Sequence, residues 1–296
     1  MAPAGSATVK RLTVYPIKSL DGRSVDSVDI VTNGGLAGDR EFALFDGDGD
    51  YVNGKHDRQV HPIRASYDGE TAHAESVTLA TPTHEPRAFD LDSINNDDDA
   101  DDGGNAADTD DTTALTDRLC EWFGYPVTLD RNRAGGFPDD TTASGPTIIS
   151  EATIETVAGW FDGVDIEGMR RRLRPNVVLD GVPAFWEDHL FVDRDSRMRF
   201  SIGGTTFLGV NPCQRCVVPS RDPDTGETIE GFNETFIEQR RATMPAWSGG
   251  DWFDHDFRLM VNTAVPEASW DETIAVGDKV TVGETIPADE AAVSSE

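Results

Sequence analysis

The densest run of chemically capable residues is Asn211-Pro-Cys-Gln-Arg-Cys-Val-Val-Pro-Ser-Arg-Asp-Pro-Asp-Thr-Gly226. A Cys-x-x-Cys pair can be half of a zinc site, a dithiol redox pair, or a coincidence of two structural cysteines. Structural zinc needs four ligands. Beyond Cys213 and Cys216 the chain offers only Cys120 and six scattered His, with no second Cys pair and no His-x-x-x-His. A thioredoxin-like pair belongs between a strand and a helix, and Pro219 with the Asp-Pro-Asp-Thr-Gly turn argues against a helix here. What remains is a thiol on a β-structured loop beside Arg215. That cation favours the thiolate, and a thiolate suits a soft or redox-active metal.

Two further clusters lie upstream. Tyr15-Pro-Ile-Lys-Ser-Leu20 and Gly38-Asp39-Arg40 put Lys18 and Arg40 beside turns that contain Ser or Gly. Side-chain charge supported by turn N–H groups is how a phosphate or other anion is held. Taken singly, each equally suits a surface Lys and a salt-bridged Arg. Arg170-Arg-Arg-Leu-Arg-Pro-Asn176 sets four Arg in five positions. These either balance an acidic surface or carry function, and Pro175 closes the helical option, so that Arg174 and Asn176 enter the next strand side by side. Asp46, Asp48 and Asp50 are spaced like a calcium loop, but its sixth and twelfth positions are Tyr51 and Asp57 rather than Gly and Glu, which predicts a solvated turn.

The elements that must position these residues are mostly strands. Lys10–Tyr15, Ser24–Ile30, Val127–Leu129, Val177–Leu179, Met198–Ile202, Arg258–Val261 and Lys279–Val282 read as strands, and Phe42–Val52 as a hairpin. Gly203-Gly204 turns the chain into Thr205–Leu208. Two helices are clear: Thr113–Phe123, with Leu115, Leu119, Trp122 and Phe123 at helical spacing, and one capped by Ser150 that turns Ile154, Val157, Ala158 and Phe161 inward. Asp97–Asp111 holds eight Asp in fifteen residues without a Leu, Ile, Val or aromatic, so a disordered acidic insertion is expected. Gly135–Asp140 reads as a linker. The fold class is mainly β with a few helices (α+β).

Composition bounds the partners. With 55 Asp and Glu against 25 Lys and Arg, the formal charge of −30 opposes nucleic acid and anionic lipid. Only Lys10, Lys18, Lys55 and Lys279 are lysines, a bias that reads as adaptation to a salty cytosol. The start Met-Ala-Pro-Ala-Gly-Ser lacks the pattern of a signal peptide, and no apolar run is long enough to span a bilayer. A cytoplasmic protein with reduced thiols is expected.

In this order, Tyr-Pro-Ile-Lys-Ser, Gly-Asp-Arg, Ile149-Ser-Glu-Ala152, Arg174-Pro-Asn176 and Cys-x-x-Cys followed by Asp-Pro-Asp-Thr-Gly resemble the signature of MOSC proteins, those sharing the C-terminal domain of molybdenum cofactor sulfurase. The pattern is similar to the mitochondrial amidoxime reducing components and their bacterial counterparts, from Leu12 to about Val282. The resemblance implies an N-terminal β-barrel-like domain over 7–134, carrying the acidic insertion at 95–112, a MOSC β-barrel domain over 135–285, and an acidic tail at 286–296. It implies a molybdenum–pterin cofactor clamped between the domains, with Cys216 as metal ligand and catalytic centre. It implies Lys18, Ser19 and Arg40 at the pterin phosphate, Arg174 and Asn176 at the pterin, and Ser144 and Cys213 among the cofactor contacts. The usual Thr pair after the ligand cysteine is absent, Val217-Val-Pro-Ser220 standing in its place. The implied activity is two-electron reduction of small N-hydroxylated substrates, with electrons from a ferredoxin-, flavoprotein- or cytochrome-type partner, because the chain has no iron–sulfur cysteine cluster and no Gly-x-Gly-x-x-Gly. The alternative is a non-catalytic carrier of the cofactor or of sulfur on Cys216. Descriptions of the family extend to pyridoxal phosphate, yet no stretch here resembles its lysine site.

Overall fold

The computed structural model describes residues 6–94, 109–248, 252, 253 and 255–293. The chain opens with β1 (Thr8–Val14), β2 (Arg23–Val25), β3 (Ser27–Asp29), β4 (Phe42–Asp46), β5 (Arg64–Asp68), β6 (Ser76–Thr81) and β7 (His84–Asp90). Helix α1 (Thr109–Phe123) leads into β8 (Val127–Arg131) and β9 (Ile148–Ser150). Helices α2 (Glu151–Ala158) and α3 (Ile166–Leu173) precede β10 (Val177–Asp180), β11 (Ser196–Ile202) and β12 (Thr205–Gln214). Then come α4 (Phe232–Thr243), β13 (Arg258–Ala264), β14 (Thr273–Ala275), β15 (Val280–Pro287) and α5 (Ala288–Val293). The protein is mainly β with a few helices.

An eight-stranded sheet runs in the order β15-β11-β12-β13-β9-β10-β1-β2. Within it β9 and β10 are parallel, joined by the crossover through α2 and α3, while β1 returns antiparallel to β10 with Leu12 opposite Val177. The expected Ser24–Ile30 strand divides, because β2 pairs with β1 whereas β3 pairs with β14. The expected hairpin is only a turn: Phe45 bridges Tyr51, but the long partner of β4 is β8. Asp46 Oδ1 accepts from the backbone N–H of Asp48 and of Asp50, at 3.0 Å each, so the Asp46 carboxylate braces the turn. Most of the expected acidic insertion, residues 95–108, lies outside the described residues, and its end from Thr109 onward is the first turn of α1. The end expected as an acidic tail begins in β15 and continues as α5.

Three apolar clusters form the interior. One joins Val9, Leu12 and Val14 with Ile148, Phe200 and Val261. A second holds Ile17, Phe42, Phe89 and Leu119, and the third Ile154, Leu173, Phe236 and Leu259. Followed through its buried residues, the chain passes from the first cluster to the second at Val14–Ile17, returns over Leu20–Val28, passes again at Ala37–Phe42 and returns over Leu129–Ile148. Residues 7–14 and 28–37 therefore share a core with the second half of the chain, and the expected boundary at 134/135 falls inside the last crossing. Of the residues named from the sequence, Lys18 and Ser19 lie between the first two crossings, Arg40 within the third and Ser144 within the fourth.

Candidate functional site

A cavity of about 610 Å³ opens where segments beside these crossings meet the loop after β12. Lys18, Ser19, Arg40, Ser144, Arg174, Asn176, Cys213 and Cys216 all line it. Among the described residues, nine of the chain's 25 Lys and Arg reach its wall, against three of its 55 Asp and Glu. An acidic molecule thus concentrates positive charge at one place.

Lys18 is 7% exposed. Its backbone is fixed where β1 ends, the N–H donating to Phe42 O at 2.8 Å. Its Nζ donates to Phe137 O at 2.9 Å, pairs with Asp139 at 2.6 Å and lies 4.6 Å from the centre of the Tyr51 ring. Burial pulls Lys18 below the ordinary lysine value, with Asp139 opposing. Arg40 is held by Asp39 and, at 3.6 Å, by Asp139. Partial burial works against ionised Asp139, but Arg40 and Lys18 outweigh it and lower its carboxyl to about 2. One carboxylate therefore sits against both cations that the sequence marks for an anion.

Arg174 does not enter the strand. It caps α3 in the left-handed conformation, φ 56°, because Pro175 ends the helix, and its Nη1 donates to Leu20 O at 2.6 Å. The guanidinium lies 4.1 Å from the centre of the Tyr15 ring. Burial pushes Tyr15 up to about 12, and its hydroxyl donates to Pro175 O. Asn176, 1% exposed, is fully engaged: Nδ2 donates to Thr13 O and Asp39 Oδ1, while Oδ1 accepts from Thr147 N and Oγ1. Ser144 Oγ donates to Asn33 O. The remaining arginines of the run are braces: Arg170 binds Glu151, Arg171 binds Asp224, and Arg172 binds Asp222 and the Arg221 carbonyl.

The two cysteines differ. Cys213 is half-buried in the third cluster, its Sγ accepting from Arg215 Nη1 at 3.3 Å. Cys216 is exposed beyond the end of β12. Among the described residues no group of three or more His, Cys, Asp or Glu is placed to hold a metal ion.

Sequence reasoning missed Asp139, Tyr51, His61 and Arg221 on the cavity wall. It also missed the backbone: of six non-glycine residues with positive φ among the described residues, Ser19, Arg40, Arg174 and Met260 line this cavity. Such strain gathers where surrounding structure over-determines a functional site. Only Pro175 and the Gly38-Asp39-Arg40 turn hinted at it.

The MOSC N-terminal beta barrel domain matches residues 6–127 and the MOSC domain residues 147–281. The chain belongs to the MOSC family. This MOSC protein is 28% identical to mitochondrial amidoxime reducing component 2 of Bos taurus over 245 residues, 74% of this chain and 68% of the relative. It is 24% identical to mitochondrial amidoxime-reducing component 1 of Homo sapiens over 79% of this chain and 74% of that protein. An 80-residue stretch is 35% identical to molybdenum cofactor sulfurase of Caenorhabditis briggsae, covering 27% of this MOSC chain and 10% of the sulfurase. Among its described residues no helix is long and apolar enough to cross a membrane.

Proposed function

We propose that this protein is a molybdenum-cofactor-dependent oxidoreductase that reduces small N-hydroxylated compounds, with electrons delivered by a separate redox protein. The observation that carries the reading is the meeting of an exposed, unspent thiol with a concentration of cations in one cavity of an acidic chain. A pterin phosphate needs the cations, and molybdenum suits the thiolate. The wall has room and an unused donor for such a group, since Arg215 keeps a buried Nε without a partner and the volume suits a ligand of that size.

On this reading Cys216 ligates the metal. Lys18, Ser19 and Arg40 would hold the phosphate, in the place where Lys18 and Arg40 now face Asp139. Arg174, on the same wall, would hold the pterin. Asn176, Ser144 and Cys213 act by position: the first two tie Asp39, Thr147 and Asn33 in place, and the third orients Arg215. When bound, the cofactor supplies the two-electron oxygen-atom chemistry. The N–O bond breaks, nitrogen is reduced by two electrons and gains a proton, and the oxygen leaves as water with the second added proton. The three free cysteines support a reducing, cytoplasmic setting for this reaction.

The test is molybdenum per chain in protein from a cofactor-competent host, then turnover of an amidoxime with an artificial reductant. Metal near one per chain and turnover are expected. Absence of metal sinks the reading, and metal without turnover leaves the carrier.

A further inference from the structure

Most cavity cations already have carboxylates: Lys18 and Arg40 share Asp139, Arg64 and Arg171 share Asp224, and Arg172 has Asp222. Lys55, Arg174, Arg215 and Arg221 have none within ion-pair distance among the described residues, and of these four only Arg221 is buried. It is 9% exposed, its Nη1 donates to Gly54 O, and its Nε is buried without a partner. Elsewhere a buried guanidinium is neutralised. Arg240, 1% exposed, is clamped by both oxygens of Asp188, at 2.6 and 2.8 Å. A buried charge without a counter-ion is costly. In a chain with 55 carboxylates the lack of one here is a specific feature.

The position is built. The Arg221 N–H donates to Val218 O at 3.0 Å, its carbonyl accepts from Arg172 Nη1, and it bridges Thr228. The same Gly54 carbonyl faces His61 Nε2 at 3.0 Å, and since a carbonyl only accepts, His61 donates from Nε2. Burial holds His61 below its ordinary value, the charges of Arg221 and Arg174 adding to the effect, so it brings no competing positive charge near neutral pH. Arg221 lines the same cavity wall as Cys216 and follows it in the same loop after β12. On the functional reading the cofactor phosphate is satisfied at Lys18, Ser19 and Arg40, which leaves Arg221 beside the reacting end.

We propose that Arg221 forms a subsite beside Cys216 for a carboxylate carried by the N-hydroxylated substrate, making the enzyme selective for anionic substrates. The recognised shape is a planar oxyanion matched to the guanidinium fork, which inorganic nitrate shares. This inference rests on the reductase reading for its substrate, but the subsite itself is testable without turnover.

Cys216 in the full chain purified without cofactor is alkylated with iodoacetate and with iodoacetamide, and its peptide is quantified. The ratio of the two rates cancels the reactivity of the thiol and reports attraction of a carboxylate. Arg221→Gln should lower that ratio about tenfold, at molar as well as low salt because the cation is buried; Arg221→Lys should keep most of it. Benzoate should protect Cys216 in wild type. In the loaded enzyme, kcat/KM for 4-carboxybenzamidoxime relative to benzamidoxime should fall to a similar degree in Arg221→Gln at equal molybdenum content. An unchanged alkylation ratio overturns the subsite, and so does nitrate protecting where benzoate does not. Loss of molybdenum in Arg221→Gln would assign the residue to the cofactor grip and overturn it as well. A lowered ratio with no turnover of either amidoxime by wild type would uphold the anion subsite and sink only the reductase reading.

Discussion

A thiol ligates a metal only when it can be reached and is not engaged elsewhere, and the two cysteines of Cys-x-x-Cys divide on that point. Cys213 is packed among apolar side chains and accepts from Arg215, whereas Cys216 stands exposed on the cavity wall. Cys216→Ser should therefore lose molybdenum and reductase activity, and Cys213→Ser should keep most of both. Equal losses measured by metal analysis of the two variants would contradict the assignment. A second residue-scale effect lies away from the cavity. Glu187 is 1% exposed, with Oε2 accepting from Thr153 Oγ1 and Ser150 N and Oε1 without a partner. Burial, reinforced by Asp188, pushes its carboxyl from 4.5 up to about 7. Between those values the folded chain holds a proton that the unfolded chain releases, so this group's contribution to stability falls as pH rises through the window, by up to about 3 kcal/mol. Glu187→Gln should remove that fall and match or exceed wild type at pH 7. Denaturant unfolding from pH 4.5 to 7.5 in high salt checks it, and parallel pH profiles for the two proteins would refute it.

Among the elements, α3 is the brace that sets the cysteine loop. Its Arg171 and Arg172 hold Asp224, Asp222 and the Arg221 carbonyl, and its cap delivers Arg174 to the cavity. Opposite it, the crossing after β8 is held against Arg40 by Gly136, whose φ is +66° and whose added Cβ would lie 2.6 Å from Asp39 O and 2.8 Å from Arg40 O. Gly136→Ala should cost at least about 1–3 kcal/mol through backbone strain and should loosen cofactor retention by moving Arg40. A melting temperature equal to wild type would show that the crossing relaxes freely. The same elements explain what was legible. The Ser150 cap declared itself, its Oγ accepting from Thr153 N, because a cap and an apolar stripe are local signals. Helix α4 stayed hidden: Phe232, Phe236 and Arg240 fall on one buried face, and the arginine breaks the apolar period. Only distant Asp188 makes that burial tolerable. β5, β6 and β7 were unread because their polar positions alternate without a strong apolar partner set. The candidate residues, by contrast, stand in motifs, and the fold brings them to one cavity. What no local motif revealed was their pairing, with Asp139 taken up by Lys18 and Arg40 and no acid at Arg221.

At the scale of the whole molecule the cavity is an electrostatic exception that the fold creates. A net charge of −30 repels an arriving phosphate, and nine cations brought together from distant segments reverse the sign locally. Arg40 lies where the chain crosses from the first core to the second, and Lys18 just after the chain has first entered the second, so their meeting in this cavity depends on the two cores packing together. Hydrogen bonds to a charged group contribute roughly 1.5–3 kcal/mol each. Replacing both residues by Gln should therefore weaken cofactor retention by on the order of 10²- to 10⁴-fold, and the loss is compounded because Asp139 then faces the phosphate without its cations. Salt distinguishes the local grip from the general field. Screening at molar ionic strength relieves long-range repulsion far more than it affects Lys18, 7% exposed. The double variant should thus stay defective at molar salt, while wild type loads at least as well there as at low salt. Molybdenum per chain, measured after loading both proteins at the two salt concentrations, decides between these outcomes. Equal occupancy would remove Lys18 and Arg40 from the site, and rescue of the variant by salt alone would reduce them to contributors to the overall field.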